Sequence, residues 1–145
     1  RAEYCQHDML EKMRKWEVEE SDCERIMEYL RKAKFVDDER YARAFVKDKI
    51  KYNKWGRRKV EQGLWAKHIA EDIRQRVLDE VDESQYKSVL TDLLKSKRRS
   101  IKAANDYEMN RKLIKFALSR GFDYSIVRHC IDCDDYDQED STDDF

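Results

Sequence analysis

Apolar residues recur along this chain in a register of roughly fifty residues, and that repetition constrains the fold more than any other feature. A shift of 53 residues carries Val60, Leu64, Ile69, Ile73, Val77 and Leu78 onto Leu113, Ala117, Phe122, Ile126, Cys130 and Ile131 without a gap. A shift of 51 in the other direction carries Val60, Leu64, Ile69, Val77 and Leu78 onto Met9, Met13, Val18, Ile26 and Met27. The segments that precede these also correspond, Asp37, Tyr41 and Phe45 with Asp82, Tyr86 and Leu90. The repeating unit is three helices long, too small to bury its apolar face alone, so neighbouring copies must stack and share cores. The expected architecture is all-α: tandem three-helix repeats stacked into an elongated, curved array. The boundaries expected are 1–36 for a partial N-terminal repeat lacking most of its opening helix, 37–82 and 83–131 for two complete repeats, and 132–145 for an acidic, flexible tail.

Composition supports helices. Proline is absent, glycine occurs three times, and 43% of residues are charged against 40% apolar, which leaves few turn signals and no strand alternation. Periodicity predicts helices over about 8–16, 21–33, 37–52, 56–67, 70–81, 83–102, 107–120 and 123–131. Ser21 and Glu24 have the spacing of a capping box, and Asp37 or Asp38 can open the third helix. Gly121 suits a left-handed C-terminal turn, and Asp123 can cap the last helix. Met9, Met13 and Trp16 form the apolar stripe of the first helix, and Ile26, Met27 and Leu30 that of the second.

The charge is polarised. Residues 132–145 hold eight acids and no Lys or Arg, so residues 1–131 carry 31 cations against 24 anions beneath a formal net charge of −1. A basic body suggests a polyanionic or acidic partner, with the tail as a competitor for the same surface or a solubilising terminus. On the helix at 37–52, Tyr41, Ala42, Phe45, Val46 and Ile50 fill one side. Arg40, Arg43, Lys47, Lys51 and Lys54 fall within about 80° of one another on the other, without acidic partners on that line. Arg57, Arg58 and Lys59 continue the run. Tyr52 and Trp55 beside these cations suit base stacking, while the alternative for Trp55 is packing at the corner between two helices, and Trp65 reads as core. The equivalent helix at 83–102 repeats the division, with Lys87, Lys95, Arg98, Arg99 and Lys102 opposite its apolar side. Arg111, Lys112, Lys115 and Arg120 add a smaller cluster on the next helix.

Catalytic chemistry has little support. His7, His68 and His129 are far apart in sequence, and no phosphate loop, nucleophile elbow or zinc-protease motif occurs. Cys5, Cys23, Cys130 and Cys133 lack the density of a disulfide scaffold, and the single C-x-x-C has no second pair to complete a zinc site. No metal or cofactor is expected, and the protein reads as a non-enzyme. No stretch of eighteen apolar residues and no secretory signal stands out, and a reduced cytoplasm fits the cysteines. The first residue is Arg rather than Met, as in a trimmed chain.

The run Phe35-Val36-Asp37-Asp38-Glu39-Arg40-Tyr41-Ala42-Arg43-Ala44-Phe45-Val46 resembles the signature of the bacterial RecX regulatory proteins. Trp55-Gly56-Arg57-Arg58-Lys59-Val60 is similar to the start of that family's next helix, and Arg111-Lys112-Leu113-Ile114-Lys115-Phe116 with Arg120-Gly121-Phe122 to its third repeat. Residues 1–131 are covered; Lys34 and His68 stand where the family often has glycine, and Arg1-Ala2-Glu3-Tyr4-Cys5 looks like the remnant of a family motif. The resemblance implies a modulator, chiefly an inhibitor, of the RecA recombinase and especially of its filaments on single-stranded DNA; single- or double-stranded DNA is a further expected partner, and a monomer is expected. A stand-alone nucleic-acid-binding repeat protein is the alternative, and an adaptor for another acidic protein a third.

Overall fold

The computed structural model describes residues 3–132. Among them every regular element is helical: α1 (Gln6–Lys15), α2 (Glu20–Lys32), α3 (Asp38–Lys51), α4 (Arg57–Ala66), α5 (Glu71–Asp79), α6 (Glu83–Ser100), α7 (Asp106–Ser119) and α8 (residues 124–132). The all-helical expectation holds, and all eight expected helices are present.

Contacts divide the chain into two compact units. Within the described residues the first comprises 3–48 and 61–80, the second 49–60 and 81–132. These units cut across the chain-order repeats, and backbone hydrogen bonds explain the position of 49–60. The Gly56 N–H donates to the Arg120 carbonyl at 2.9 Å and the Arg58 N–H to the Gly121 carbonyl at 3.0 Å. The N-terminal donors of α4 thus satisfy the carbonyls left open at the end of α7. Approach this close requires glycine: a Cβ on Gly56 would meet the Phe122 backbone nitrogen at 2.4 Å, and one on Gly121 the Lys59 Cβ at 2.4 Å.

The repeat register reappears in the backbone. Gly121 has φ 90°, and the residues 53 and 104 positions earlier, His68 and Glu17, have φ 58° each. Each copy ends its middle helix with one left-handed residue, although only the last copy uses glycine there. The first unit builds its equivalent of the Gly56–Gly121 junction from side chains. Cys5 Sγ caps α1 by accepting from the Asp8 N–H at 3.4 Å and lies 3.9 Å from the Lys67 carbonyl. Lys67 Nζ pairs with Asp8 at 2.8 Å, and the His7 and His68 rings stack with centroids 4.1 Å apart. Far apart in sequence, these two histidines therefore meet. Burial pushes the Cys5 thiol up to about 11.

Cores form at the repeated positions. Val60, Leu64, Ile69, Val77, Leu78, Leu113, Ala117, Phe122, Ile126, Cys130 and Ile131 are all buried. In the first unit Met13, Cys23, Met27 and Val36 form one cluster flanked by Met9, Leu10, Val18 and Leu30. Four expectations fail locally. Ile26 is exposed because Cys23 and Met27, four residues apart, take the inward side of α2. Trp65 is 69% exposed because α4 buries Val60 and Leu64, and the next residue turns about 100° away. Trp16, at the end of α1, is 66% exposed. Ser21 lies inside α2, whose N-cap is Glu19, so no Ser21 cap forms.

Candidate nucleic-acid interface

The run that carries the family resemblance folds as a structural knot of the first unit. Asp37 caps α3, accepting from the Arg40 N–H at 3.0 Å. Asp38 reaches α1, accepting from the Gln6 N–H at 2.8 Å and from its side-chain amide at 3.0 Å. Glu39 binds Arg76 of α5, and Arg40 binds Glu3 at 2.9 Å. Arg43 grips Glu80 through two hydrogen bonds at 2.8 and 2.7 Å, with Glu39 at 3.9 Å on its other side. That pairing raises Arg43 and lowers the Glu80 carboxyl below its ordinary range, the side-chain hydrogen bond being the main cause in each.

The expectation of a basic line without acidic partners is thus corrected at its start. The acids come from outside the line: Glu39 lies four residues before Arg43, and Glu3 and Glu80 approach from elsewhere in the unit. On α3 within this unit, Lys47 is exposed and has no ion pair among the described residues.

The second unit is different. Its described residues hold 17 Lys and Arg against 7 acids, a net of +10, whereas those of the first hold 13 against 18, a net of −5. Lys51, Lys54, Arg58, Lys95, Arg99, Lys102, Arg111 and Lys115 are all exposed, and none forms a close ion pair among the described residues. Lys54 donates to the Lys51 carbonyl at 2.6 Å, which closes the turn after α3 around its own left-handed backbone (φ 57°). Lys87 faces Glu83 at 3.9 Å, and Lys112 faces Glu108 at 3.2 Å. Arg57 and Arg98 are half-buried, and Arg57 lowers the Tyr86 phenol slightly against the burial that lifts it to about 12.

The aromatics expected to stack on bases are placed unequally. Trp55 is half-buried with Lys49 and Lys59 ammonium groups 5.0 and 4.9 Å from its ring centre. Tyr52 is 69% exposed, with Lys51 5.2 Å from its centroid. Tyr107, which sequence reasoning missed, is more exposed still at 74% and stands at the start of α7 in a cleft of about 520 Å³. The available signal was the spacing alone: Tyr107, Arg111 and Lys115 recur every four residues, one stripe of a helix. Arg120, also among the cations of the sequence pattern, ties the end of α7 to the turn after α3 instead, donating to the Asn53 carbonyl at 3.2 Å and lying over the Phe116 ring.

Among the described residues no group of three or more His, Cys, Asp or Glu is placed to hold a metal, and no helix is long and apolar enough to cross a membrane. Cys5, Cys23 and Cys130 are free thiols, all buried; Cys133 and the acidic stretch from 133 onward lie outside the described residues.

Comparison with known proteins agrees with the fold. Residues 37–78 match the model of the RecX second three-helix domain and residues 85–131 that of the third. The regulatory protein RecX of Clostridium acetobutylicum is 33% identical over 120 residues, covering 80% of this chain and 55% of that protein. The regulatory protein RecX of Clostridium botulinum is 30% identical over 115 residues, covering 78% and 53%. The chain therefore spans a little over half the length of these relatives. The crystal structure of RecX from Lactobacillus salivarius superposes with a TM-score of 0.80 at 19% identity, covering 90% of this chain and 85% of that one. A second RecX crystal structure superposes at 0.84 with 21% identity, covering 90% and 64%. With both three-helix domain models matched in order and the fold shared, this chain belongs to the RecX family of regulatory proteins.

Proposed function

We propose that this protein regulates a RecA recombinase by binding its filament on single-stranded DNA, acting as a binding protein rather than an enzyme, with the second unit facing the polyanion. The observation that carries the reading is the charge division. Eight exposed cations without a close ion pair lie in a unit whose described residues carry a net +10, while the first unit uses Arg40 and Arg43 to hold itself together. Unpaired cations gathered in one unit repel one another and gain most from a phosphate backbone, whose counterions they release. A repeat protein touching several points of a filament reaches high avidity without a deep pocket.

The contact set rests on exposure and pairing. It comprises Lys51, Lys54, Arg58, Lys95, Arg99, Lys102, Arg111 and Lys115, all in the second unit. Arg40 and Arg43 are left out because reversing them would break the first unit's ion pairs. Replacing Arg58, Lys95 and Arg99 with Glu is expected to abolish most inhibition of RecA's DNA-dependent ATPase, whereas replacing Lys15, Lys32 and Lys34 leaves it intact. Equal inhibition by both triple variants, each shown folded by circular dichroism, sinks this placement. The free basic surface also fits a protein that binds bare nucleic acid unaided. Binding to DNA alone as tight as to pre-formed filaments, at both low and high salt, selects that second reading.

A further inference from the structure

The second unit twice places an aromatic shortly before an Arg-Lys pair. Trp55 precedes Arg58 and Lys59, and Tyr107 precedes Arg111 and Lys112; the two Arg-Lys pairs are equivalent under the 53-residue shift, whereas the aromatics are one position out of register. They differ in what covers the aromatic ring. Trp55 is half-buried between two ammonium groups, whereas Tyr107 is 74% exposed.

From this we propose that the start of α7 is a subsite for single-stranded nucleic acid, in which the Tyr107 ring stacks on a base while Arg111 and Lys115 hold neighbouring phosphates. The inference rests on reading the second unit as the polyanion-facing surface and gives that surface a specific residue and ligand chemistry.

Spacing favours it. Tyr107, Arg111 and Lys115 succeed one another at four-residue intervals, so they share one stripe of α7 and step about 6 Å along its axis. A single strand laid along that stripe meets an aromatic face and then two cations in turn. Arg111 and Lys115 are exposed and form no close ion pair among the described residues, Arg111 lying only within the longer-range field of Glu108. The cleft is lined by Asn105, Tyr107, Glu108, Arg111, Lys112 and Lys115.

The rest of the lining is already committed, which leaves those three groups available. Asn105 caps α7, accepting from the Glu108 N–H at 2.8 Å. Glu108, the one acid of the cleft, accepts from the Ala104 N–H at 3.1 Å and pairs with Lys112 at 3.2 Å. Lys112 also donates to the Lys102 carbonyl at 2.8 Å. The acid is therefore neutralised locally and does not repel a phosphate. A duplex fits poorly, since its bases are stacked on each other and offer no free face to Tyr107.

Fluorescence anisotropy with the full chain tests this, using oligothymidylate of roughly 15 nucleotides, within the span of one such module, and an abasic phosphodiester of the same length. Tyr107→Leu is expected to weaken oligothymidylate binding by roughly 5- to 100-fold, the range for loss of one base–aromatic stack. The abasic strand is bound as before, and Tyr107→Trp restores affinity. Arg111→Gln and Lys115→Gln are each expected to flatten the salt dependence by about 0.7 in log–log slope. An unchanged affinity in Tyr107→Leu, or an equal loss on the abasic strand, overturns the subsite. Equal Tyr107 dependence for a polyglutamate peptide overturns its assignment to nucleic acid. If the wild-type chain restrains the recombinase while Tyr107→Leu binds oligothymidylate normally, the subsite alone falls. If the wild-type chain neither binds the strand nor restrains the recombinase, both readings fall.

Discussion

Left-handed residues mark the joints of this fold, and their side chains decide how much each joint costs. Glu17, Lys34, Lys54 and His68 all have φ between 57° and 60°, where a Cβ crowds the following carbonyl by roughly 1–2 kcal/mol. Gly121 has φ 90°, and its missing side chain also admits Lys59. The two situations predict opposite responses. Lys34 is exposed and its side chain holds nothing among the described residues, so Lys34→Gly is expected to leave stability unchanged or raise it by up to about 1 kcal/mol. Gly121→Ala brings in the backbone strain that glycine avoids and adds a Cβ 2.4 Å from Lys59 Cβ and 2.5 Å from its nitrogen, so the junction of α4 with α7 must open. A loss of more than about 2 kcal/mol is expected, in line with overpacking plus broken hydrogen bonds. Urea unfolding of the two variants against the parent measures both; a Gly121→Ala variant as stable as the parent contradicts the interlock.

At the scale of elements, the helices were legible because their periodicity survives almost undisturbed by glycine or proline. Even the family signature was visible as a helix start. Its role was not, because the partners of Asp38, Glu39, Arg40 and Arg43 come from Gln6, Arg76, Glu3 and Glu80, whose proximity no local pattern encodes. Arg40 and Arg43, at the start of what looked like a free stripe on α3, proved to be ties between elements, while the cations without an ion pair lie later on α3, on α4, and on and after α6 and α7. The same ties give an acid response. Glu80 is held below its ordinary range by Arg43, so its folded-state value lies under its unfolded one. Such a group adds stability above the unfolded value and loses it as pH falls through the folded one. The first unit should therefore lose stability as pH drops below the ordinary carboxylate range. Arg43→Gln is expected to flatten that decline, measured as Tm at a series of acidic pH values. Parallel Tm profiles for parent and variant would show that the pair is too solvent-screened to matter.

For the whole molecule, charge is the property that the linear sequence concealed most. A basic body before an acidic end is what composition shows; the contact units instead place a net −5 in one unit and +10 in the described part of the other. Residues 133–145 add seven acids and no Lys or Arg to the same stretch of chain as the basic unit. Tethered anions at high local concentration compete with phosphates for the same cations, and a polymeric ligand must displace them. Truncation after Asp132 removes those seven charges, keeps the 3.1 Å pair between Arg128 and Asp132, and takes the net charge from −1 to +6. The truncated chain is expected to bind oligothymidylate more tightly than the full chain at low ionic strength. The gap should narrow towards about 1 M salt, where the screening length shrinks to about 3 Å. The truncated chain should also lose affinity more steeply with salt, because more of its cations are free to release counterions from the strand. Anisotropy titrations of both chains across a salt series read all three effects at once, and coincident curves assign the acidic end no part in binding.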